Sequence, residues 1–332
     1  LDRPIPKYSA QRTAIHDTPI VRLTDSEREV EVSIVPSIGN RAFEMNVRGQ
    51  NILYFPFPDV SGAKGLKDLN GVPFLAPWGN RMAGGGFWAN GQRYSFNKDL
   101  GSLRLDKNEL PIHGMLTASP LWSVTDTAAD ATMAHARSRF EFWKYPDLMA
   151  NWPFALEYEM THRLENGTLE VSTTITNRSS QPMPVAVGFH PYFTLPGVER
   201  DEAFAYIPAR RHIETDSQLV ATGELKPVTM PDRIALREHT FDDGFTDLVR
   251  DAAGRAVFSV EGNGRSIEVS FGPRYTVGVV YAPAGQNYIC FEPMTAITNG
   301  VNLAHAGRYA ELQTVAPGGQ WNESFWIRAS GF

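Results

Sequence analysis

From residue 168 to residue 176 the chain alternates without a break. Leu169, Val171, Thr173 and Ile175 fall on one side, and Glu170, Ser172 and Thr174 on the other. A strand repeats every two residues and a helix every 3.6, so this stretch can bury an apolar face only as a strand. Residues 266–271 repeat the pattern with Ile267, Val269 and Phe271, and strand-like apolar runs occupy 30–35, 42–47, 154–160, 257–260 and 277–281. Between them stand turn signals such as Glu165-Asn166-Gly167, Ala89-Asn90-Gly91 and Gly262-Asn263-Gly264. No long amphipathic helix is present, and residues 61–69 suit at most a short helical turn. Many short strands with glycine and proline between them predict an all-β antiparallel sandwich or barrel. With no fixed-period repeat and no linker, residues 1–332 are expected to form one domain.

Composition narrows the function. A net charge of −6 argues against nucleic acid, which calls for a basic face, and no apolar run approaches the length of a membrane span. The single cysteine, Cys290, excludes an internal disulfide and a cysteine metal cluster, and within Tyr288-Ile289-Cys290-Phe291 it reads as a buried strand residue. A soluble protein is expected. The chain opens on Leu1 rather than methionine, which leaves room for a removed leader and leaves cytoplasm or periplasm open.

A few residues stand apart from the strand pattern. His190 lies in Gly188-Phe189-His190-Pro191-Tyr192-Phe193, after the run Pro184-Val185-Ala186-Val187. Proline restricts the residue before it to extended geometry, so the imidazole is aimed by the backbone, and Phe189, Tyr192 and Phe193 are expected to wall it. Such a setting suits a sugar ring, with apolar C–H faces and polar edges, and equally a buried histidine satisfied by a carbonyl. The tripeptide Gly-Asn-Arg occurs twice. Gly39-Asn40-Arg41 opens a strand and reads as structural, whereas Asn80 and Arg81 precede Gly84-Gly85-Gly86 and could present a fork of donors to hydroxyls or a carboxylate. The glycines lack the Gly-Lys-Ser/Thr ending of a phosphate loop. His113, followed by Gly114, sits in what reads as a looser loop. Asp242 and Asp243 fall in an expected turn, where an Asx turn accounts for at least one of them. Glu292, before Pro293, is placed at the end of an apolar strand, where burial raises a carboxyl pKa toward that of a general base working near neutrality. His135, His162, His212, His239 and His305 read as surface or core residues. His113 and His190 are too far apart in sequence for a local metal pair, and no His-Glu-x-x-His helix is present.

Taken together, Asn177-x6-Pro184-x3-Gly188-Phe189-His190-Pro191-Tyr192-Phe193, Asn80-Arg81-Met82-Ala83-Gly84-Gly85 with Gly91 and Tyr94, His113-Gly114 and Phe291-Glu292-Pro293 resemble the aldose 1-epimerases, or galactose mutarotases, in the same order. The resemblance runs from about residue 38 to the C-terminus. It implies a large two-sheet β-sandwich and interconversion of the α and β anomers of a free, glucose- or galactose-like hexose, without metal or other cofactor. It assigns Glu292 as general base, His190 as general acid, and His113 as a hydrogen-bond donor near the ring oxygen. Asn80, Arg81, Tyr192 and Asp242 would hold the sugar. A carboxylate near His190 is expected to keep it protonated.

One departure bears on which sugar is bound. Many members of the resembled family carry glutamine in the turn before the glutamate strand, where this chain has Tyr281-Ala282-Pro283-Ala284. A mutarotase of hexose phosphates is an alternative, with Arg210-Arg211-His212 to meet a phosphate. A non-catalytic sugar-binding protein needs no Glu/His pair, and a glycosidase needs Asp242 or Asp243 as a second carboxylate beside Glu292. Oligomeric state is left open.

Overall fold

The computed structural model describes residues 6–65 and 69–332. It is built almost wholly of antiparallel strands, as the alternation predicts, and the two α-helices among the described residues, Pro146–Met149 and Gly300–His305, are short. No helix among them is long and apolar enough to cross a membrane.

Two large sheets dominate. The first has nine strands, in the order Ile234–Ala235, Phe204–Tyr206, Ala256–Gly262, Arg265–Phe271, Gln320–Ser330, Thr168–Asn177, Leu156–Glu165, Ala134–Glu141 and Ser123–Ala129. The second has eight. Ala221–Pro227, Ala209–Thr215, Phe241–Leu248, Val277–Ala282, Ile289–Met294, Gly188–Phe189 and Phe74–Leu75 lie side by side, and Tyr192–Phe193 adds to Ile289–Met294. A five-stranded meander from Tyr8–Ile15 to Gln50–Asn51 packs its first two strands against the far end of the nine-stranded sheet.

The two large sheets meet through aromatic side chains. Phe189 of the second packs on Phe325 of the first at 4.8 Å, Phe291 on Phe258 at 5.8 Å, and Phe74 on Tyr158 at 5.3 Å. Gly278 marks a close approach of the sheets, because a Cβ there would lie inside contact distance of the Phe258 ring. The inner face of the eight-stranded sheet is thus filled by Phe245, Val280 and Phe291. Its other face carries Asp242, Gly244, Val279, Tyr281, Cys290, Glu292 and Met294, the direct or second neighbours of one another across the strands.

Several sequence expectations shift here. Residues 61–69 begin in a 3₁₀ turn, Val60–Ala63, while residues 66–68 lie outside the described residues. Asp242 and Asp243 lie not in a turn but inside the strand Phe241–Leu248. The buried pair Phe241 and Phe245 sets its phase, so the two acids point to opposite faces. Glu292 is likewise inside its strand. Pro293 cannot donate to the ladder, which suggests a strand end, yet the register continues as Gly278↔Pro293 and Val277↔Met294.

His162 is an ordinary core position occupied by a titratable group. It sits between Met160 and Leu164 on the buried face of Leu156–Glu165, its Nδ1 has no partner, and burial lowers its pKa to about 4. The folded protein therefore resists protonating it, while the unfolded chain takes up a proton below about pH 6.5. Stability linked to this group is complete above that pH and is lost as the pH falls toward 4. The wild type is expected to lose roughly 3 kcal/mol more than His162→Leu between pH 7 and pH 4. Urea unfolding of both proteins at the two pH values checks this, and parallel losses would refute it.

Candidate active site

The site lies on the outward face of the eight-stranded sheet, over Ile289–Met294. Every residue of this strand is buried on both faces, and Glu292 is 1% exposed. His190 stands above it between the short strands Gly188–Phe189 and Tyr192–Phe193, fixed by its N–H donating to Pro73 O at 3.1 Å and by the Tyr192 N–H donating to Gly71 O at 2.9 Å. Its Nε2 lies 3.2 Å from Glu292 Oε1. Gly188 allows this approach, since a Cβ there would collide with Met294. Of the three aromatic walls expected around His190, only Tyr192 is one. Its ring stacks flat on the imidazole, with centroids 4.6 Å apart and planes 6° apart. Phe189 and Phe193 turn into the core, against Phe74 and Phe325 and against Phe291 respectively.

Burial dominates the electrostatics of the pair. It pushes Glu292 well above the usual carboxylate range, helped by the charge of Asp242 and opposed by Arg81. It pushes His190 down to about 3, with the Arg104 charge adding to the effect. The expectation that a neighbouring carboxylate keeps His190 protonated is thus corrected. The carboxylate is there, but desolvation weighs more and favours the neutral forms of both groups. Glu292 Oε2 and His190 Nδ1 are buried without a hydrogen-bond partner. Buried polar atoms are rarely left so.

His113 joins this pair, its ring edge-on to His190 at 5.3 Å. It is not in a loose loop. Its backbone is left-handed, with φ of 61°, and it is locked to Asn80, also left-handed. The His113 N–H donates to Asn80 O at 2.9 Å, and the Asn80 N–H donates to His113 Nδ1 at 3.2 Å. Gly114 follows with φ of 64°, where a Cβ would strike Ala76 O. The bond into Nδ1 fixes the tautomer. Nδ1 must keep its lone pair, so the proton is on Nε2. Burial and the charges of His190, Arg104 and Arg81 lower the His113 pKa well below its ordinary value, so it is a neutral donor.

The polar flank is built on Asn80 and Arg81. Asn80 Oδ1 accepts from the Arg81 N–H at 2.9 Å and from Arg81 Nη1 at 3.2 Å. Arg81 Nε donates to Asp106 Oδ2 at 2.7 Å, and both side chains are largely buried. Although burial works against it, Asp106 stays below the usual carboxylate range because Arg81 and the N–H groups of Leu110 and Asn108 hold its charge. Asp242 faces Asn80 and Arg81 across a narrow cleft floored by Gly244, Val277 and Val279. Its pKa is raised by burial and by Asp243, against the pull of Arg81 and Lys107. Asp243, on the opposite face, bonds His212 Nε2 at 2.8 Å and belongs to another cluster. The other Asn-Arg copy is structural, as expected. Arg41 is 1% exposed and bonds Ile38 O, Asn70 and Thr117 O.

All seven residues singled out in the sequence (Asn80, Arg81, His113, His190, Tyr192, Asp242 and Glu292) therefore converge on this face. Missed were Asp106, which grips Arg81, and two tyrosines, Tyr54 and Tyr288, against Tyr192. Tyr288 was open to discovery, since it stands four residues before Glu292 on the same period-two face. Tyr54 had no signal, because its place depends on its N–H donating to Tyr192 O from a distant part of the chain. No group of three or more metal-ligating side chains occurs among the described residues.

A sequence model of aldose 1-epimerases matches residues 23–328, nearly the whole chain. The protein belongs to the aldose 1-epimerase family. Solved structures agree on the fold. A galactose mutarotase-like protein from Clostridium acetobutylicum superposes with a TM-score of 0.87 at 22% identity, covering 98% of this chain and 99% of that one. A protein from Synechocystis sp. PCC 6803 gives 0.75 at 24% identity, covering 99% of each. Galactose 1-epimerase from Lactobacillus acidophilus NCFM gives 0.74 at 14%, covering 98% and 99%. The mutarotase-like sandwich is thus shared, at identities that carry fold alone.

The tautomer of His113 can be read directly. In ¹⁵N NMR of the imidazoles, Nδ1 of His113 is expected to remain unprotonated and Nε2 protonated from pH 7 down to pH 5. A protonated Nδ1 in that range would contradict the bond from Asn80.

Proposed function

We infer that the protein is an aldose 1-epimerase acting on a free hexose, opening and closing the pyranose ring with Glu292 as base and His190 as acid. The observation that carries this reading is the buried contact of Glu292 with His190, each with an unpartnered polar atom. Ring opening needs one proton removed from O1 and one delivered to O5. Glu292 takes the anomeric proton, the electrons of the O1–H bond form the carbonyl, the C1–O5 bond breaks, and O5 takes the proton of His190. The pair enters as carboxylate and imidazolium and leaves as carboxylic acid and neutral imidazole. After rotation about C1–C2, reclosure on the other face of C1 reverses both transfers. Each half-reaction ends on the charge state from which the other begins, and neither changes the net charge of the buried site.

In the empty site desolvation favours the neutral pair. A sugar adds an O–H donor where Glu292 has none, and hydrogen bonding to a carboxylate favours its charged form. His113, held neutral with its proton on Nε2, supplies a donor for the ring oxygen. Asn80, Arg81 and Asp242 hold hydroxyls while C1 turns. Tyr192 keeps the His190 ring flat and offers its own edge to the sugar. Nothing in this sequence of steps calls for a metal, a nucleotide or a covalent intermediate, and residues 1–332 act in it as one domain.

Two observations favour the free sugar over a hexose phosphate. Arg210 is paired with Asp247, and His212 lies between Glu214 and Asp243, so two members of the segment expected to meet a phosphate are already engaged. A glycosidase reading loses Asp243, which faces away from Glu292.

Glu292→Gln is nearly isosteric and cannot accept a proton. It is expected to fold and to bind sugar, while the catalysed rate falls by about 10²- to 10⁴-fold. Polarimetry of freshly dissolved α-D-glucose and α-D-galactose reads this, and a wild-type rate in the variant would remove Glu292 from the role of base.

The two histidines are expected to separate kinetically. His190→Asn removes the acid and should depress kcat. His113→Asn removes a neutral donor from a left-handed position that asparagine tolerates, so it should raise KM at least as much as it lowers kcat. A larger kcat loss in His113→Asn, with unchanged KM, would exchange the two assignments.

A further inference from the structure

We propose that Tyr54, Tyr192, Tyr281 and Tyr288 form a pocket for the C5 substituent of the sugar and select a 6-deoxyhexose, with a methyl group in place of hydroxymethyl. The proposal rests on the anomer-interconversion reading above and extends it to the substrate.

The four rings form one continuous wall. Tyr288 is its centre, 4.7 Å from Tyr54, 5.2 Å from Tyr192 and 6.2 Å from Tyr281 between ring centroids. Tyr192 lies flat on His190, and Tyr281 meets the same imidazole edge-on at 5.9 Å, so the wall begins at the acid itself. Cys290 forms its floor, since its cross-strand neighbours are Tyr192 on one side and Tyr281 on the other. A buried thiol behaves as a small apolar group. With Cys290 beneath them, the packed rings make this wall largely aromatic and apolar surface. Tyr54, Tyr281 and Tyr288 are only half-buried, which leaves that surface open to a ligand.

The position of the wall decides what it touches. The pair Glu292 and His190 pins the C1–O5 bond. Two arms of the pyranose leave that bond: C2 and C3, each with a hydroxyl, and C5, with its single substituent. The groups able to hold hydroxyls, Asn80, Arg81 and Asp242, share one cleft. The tyrosines reach His190 through Tyr192 and Tyr281, whereas Asn80 reaches it through His113, and Tyr281 is at the boundary as the cross-strand neighbour of Asp242. The hydroxyl-bearing arm matches the first and the C5 arm the second. A hydroxymethyl oxygen against this wall would give up water for aromatic surface, whereas a methyl group would gain from burial.

D-Galactose, D-fucose and L-arabinose share the configuration of their common ring carbons and carry hydroxymethyl, methyl and hydrogen at C5, so the series isolates this contact. Polarimetry corrected for the spontaneous rate is expected to give the wild type a kcat/KM on D-fucose about 10-fold above that on D-galactose, and higher than on L-arabinose. Tyr288→Gln and Tyr54→Gln should each reduce the ratio of D-fucose to D-galactose toward one, while Tyr288→Phe retains it. The wild-type ranking stands as a test even where a variant fails to fold. Equal rates, or preference for D-galactose, would overturn the tyrosine pocket and leave anomer interconversion intact. A D-fucose preference unchanged in both Gln variants would overturn its assignment to these rings. No acceleration with any of the three sugars would overturn the anomer-interconversion reading, and the pocket with it.

Discussion

A carboxylate in a strand with no exposed face is the constraint on which the site depends. Phe291 on one side of Ile289–Met294 is needed by the sandwich core, so Glu292 on the other must be covered by something polar or remain an unpaired buried acid. His190 answers that need, and with it come the turn that carries it, the glycine that lets it approach Met294, and the tyrosine stacked on its ring. The cost of burying an acid and an imidazole is large for each alone. It is moderated because the two can share one proton, and that same sharing is what an acid–base pair uses in turnover.

The two histidines beside the carboxylate differ through their backbones rather than their neighbours. His190 is held by its own N–H and by stacking, with both ring nitrogens left for chemistry or the carboxylate. His113 has given one nitrogen to the Asn80 N–H and keeps the other as a donor. A ring whose Nδ1 accepts a backbone bond is a poor proton carrier and a good fixed dipole. The difference between the two imidazoles follows from one hydrogen bond.

Period two made most of this legible in the sequence. It located the strand at 168–176, put Leu169 and Glu170 on opposite faces, and would have put Asp242 and Asp243 on opposite faces had Gly244 not suggested a turn. A glycine inside a strand reads as a break, and here it clears room for Ile213 on the next strand. Pro293 misled in the same way, because a residue that cannot donate to the ladder can still keep its register. The left-handed backbone of His113 was hidden for another reason. It is imposed by a partner 33 residues away, and nothing local in His113-Gly114 announces it. Asp106 shows the limit from the other side. Its Asx turn is local, with Oδ1 accepting from Asn108 and Leu110, but the salt bridge from Oδ2 to Arg81 is made by the fold.

The segments that meet at the site enter the chain at Tyr54, Asn80, His113, His190, Asp242 and Glu292, and almost every contact among them spans tens to hundreds of residues. Chains dominated by such distant pairings fold slowly, because loop closure must be met before the contacts reward it. The carboxylate strand follows the histidine turn by about a hundred residues, so during synthesis His190 lacks its carboxylate until Ile289–Met294 has emerged and paired. The candidate site in this architecture is complete only when the last of these strands has paired.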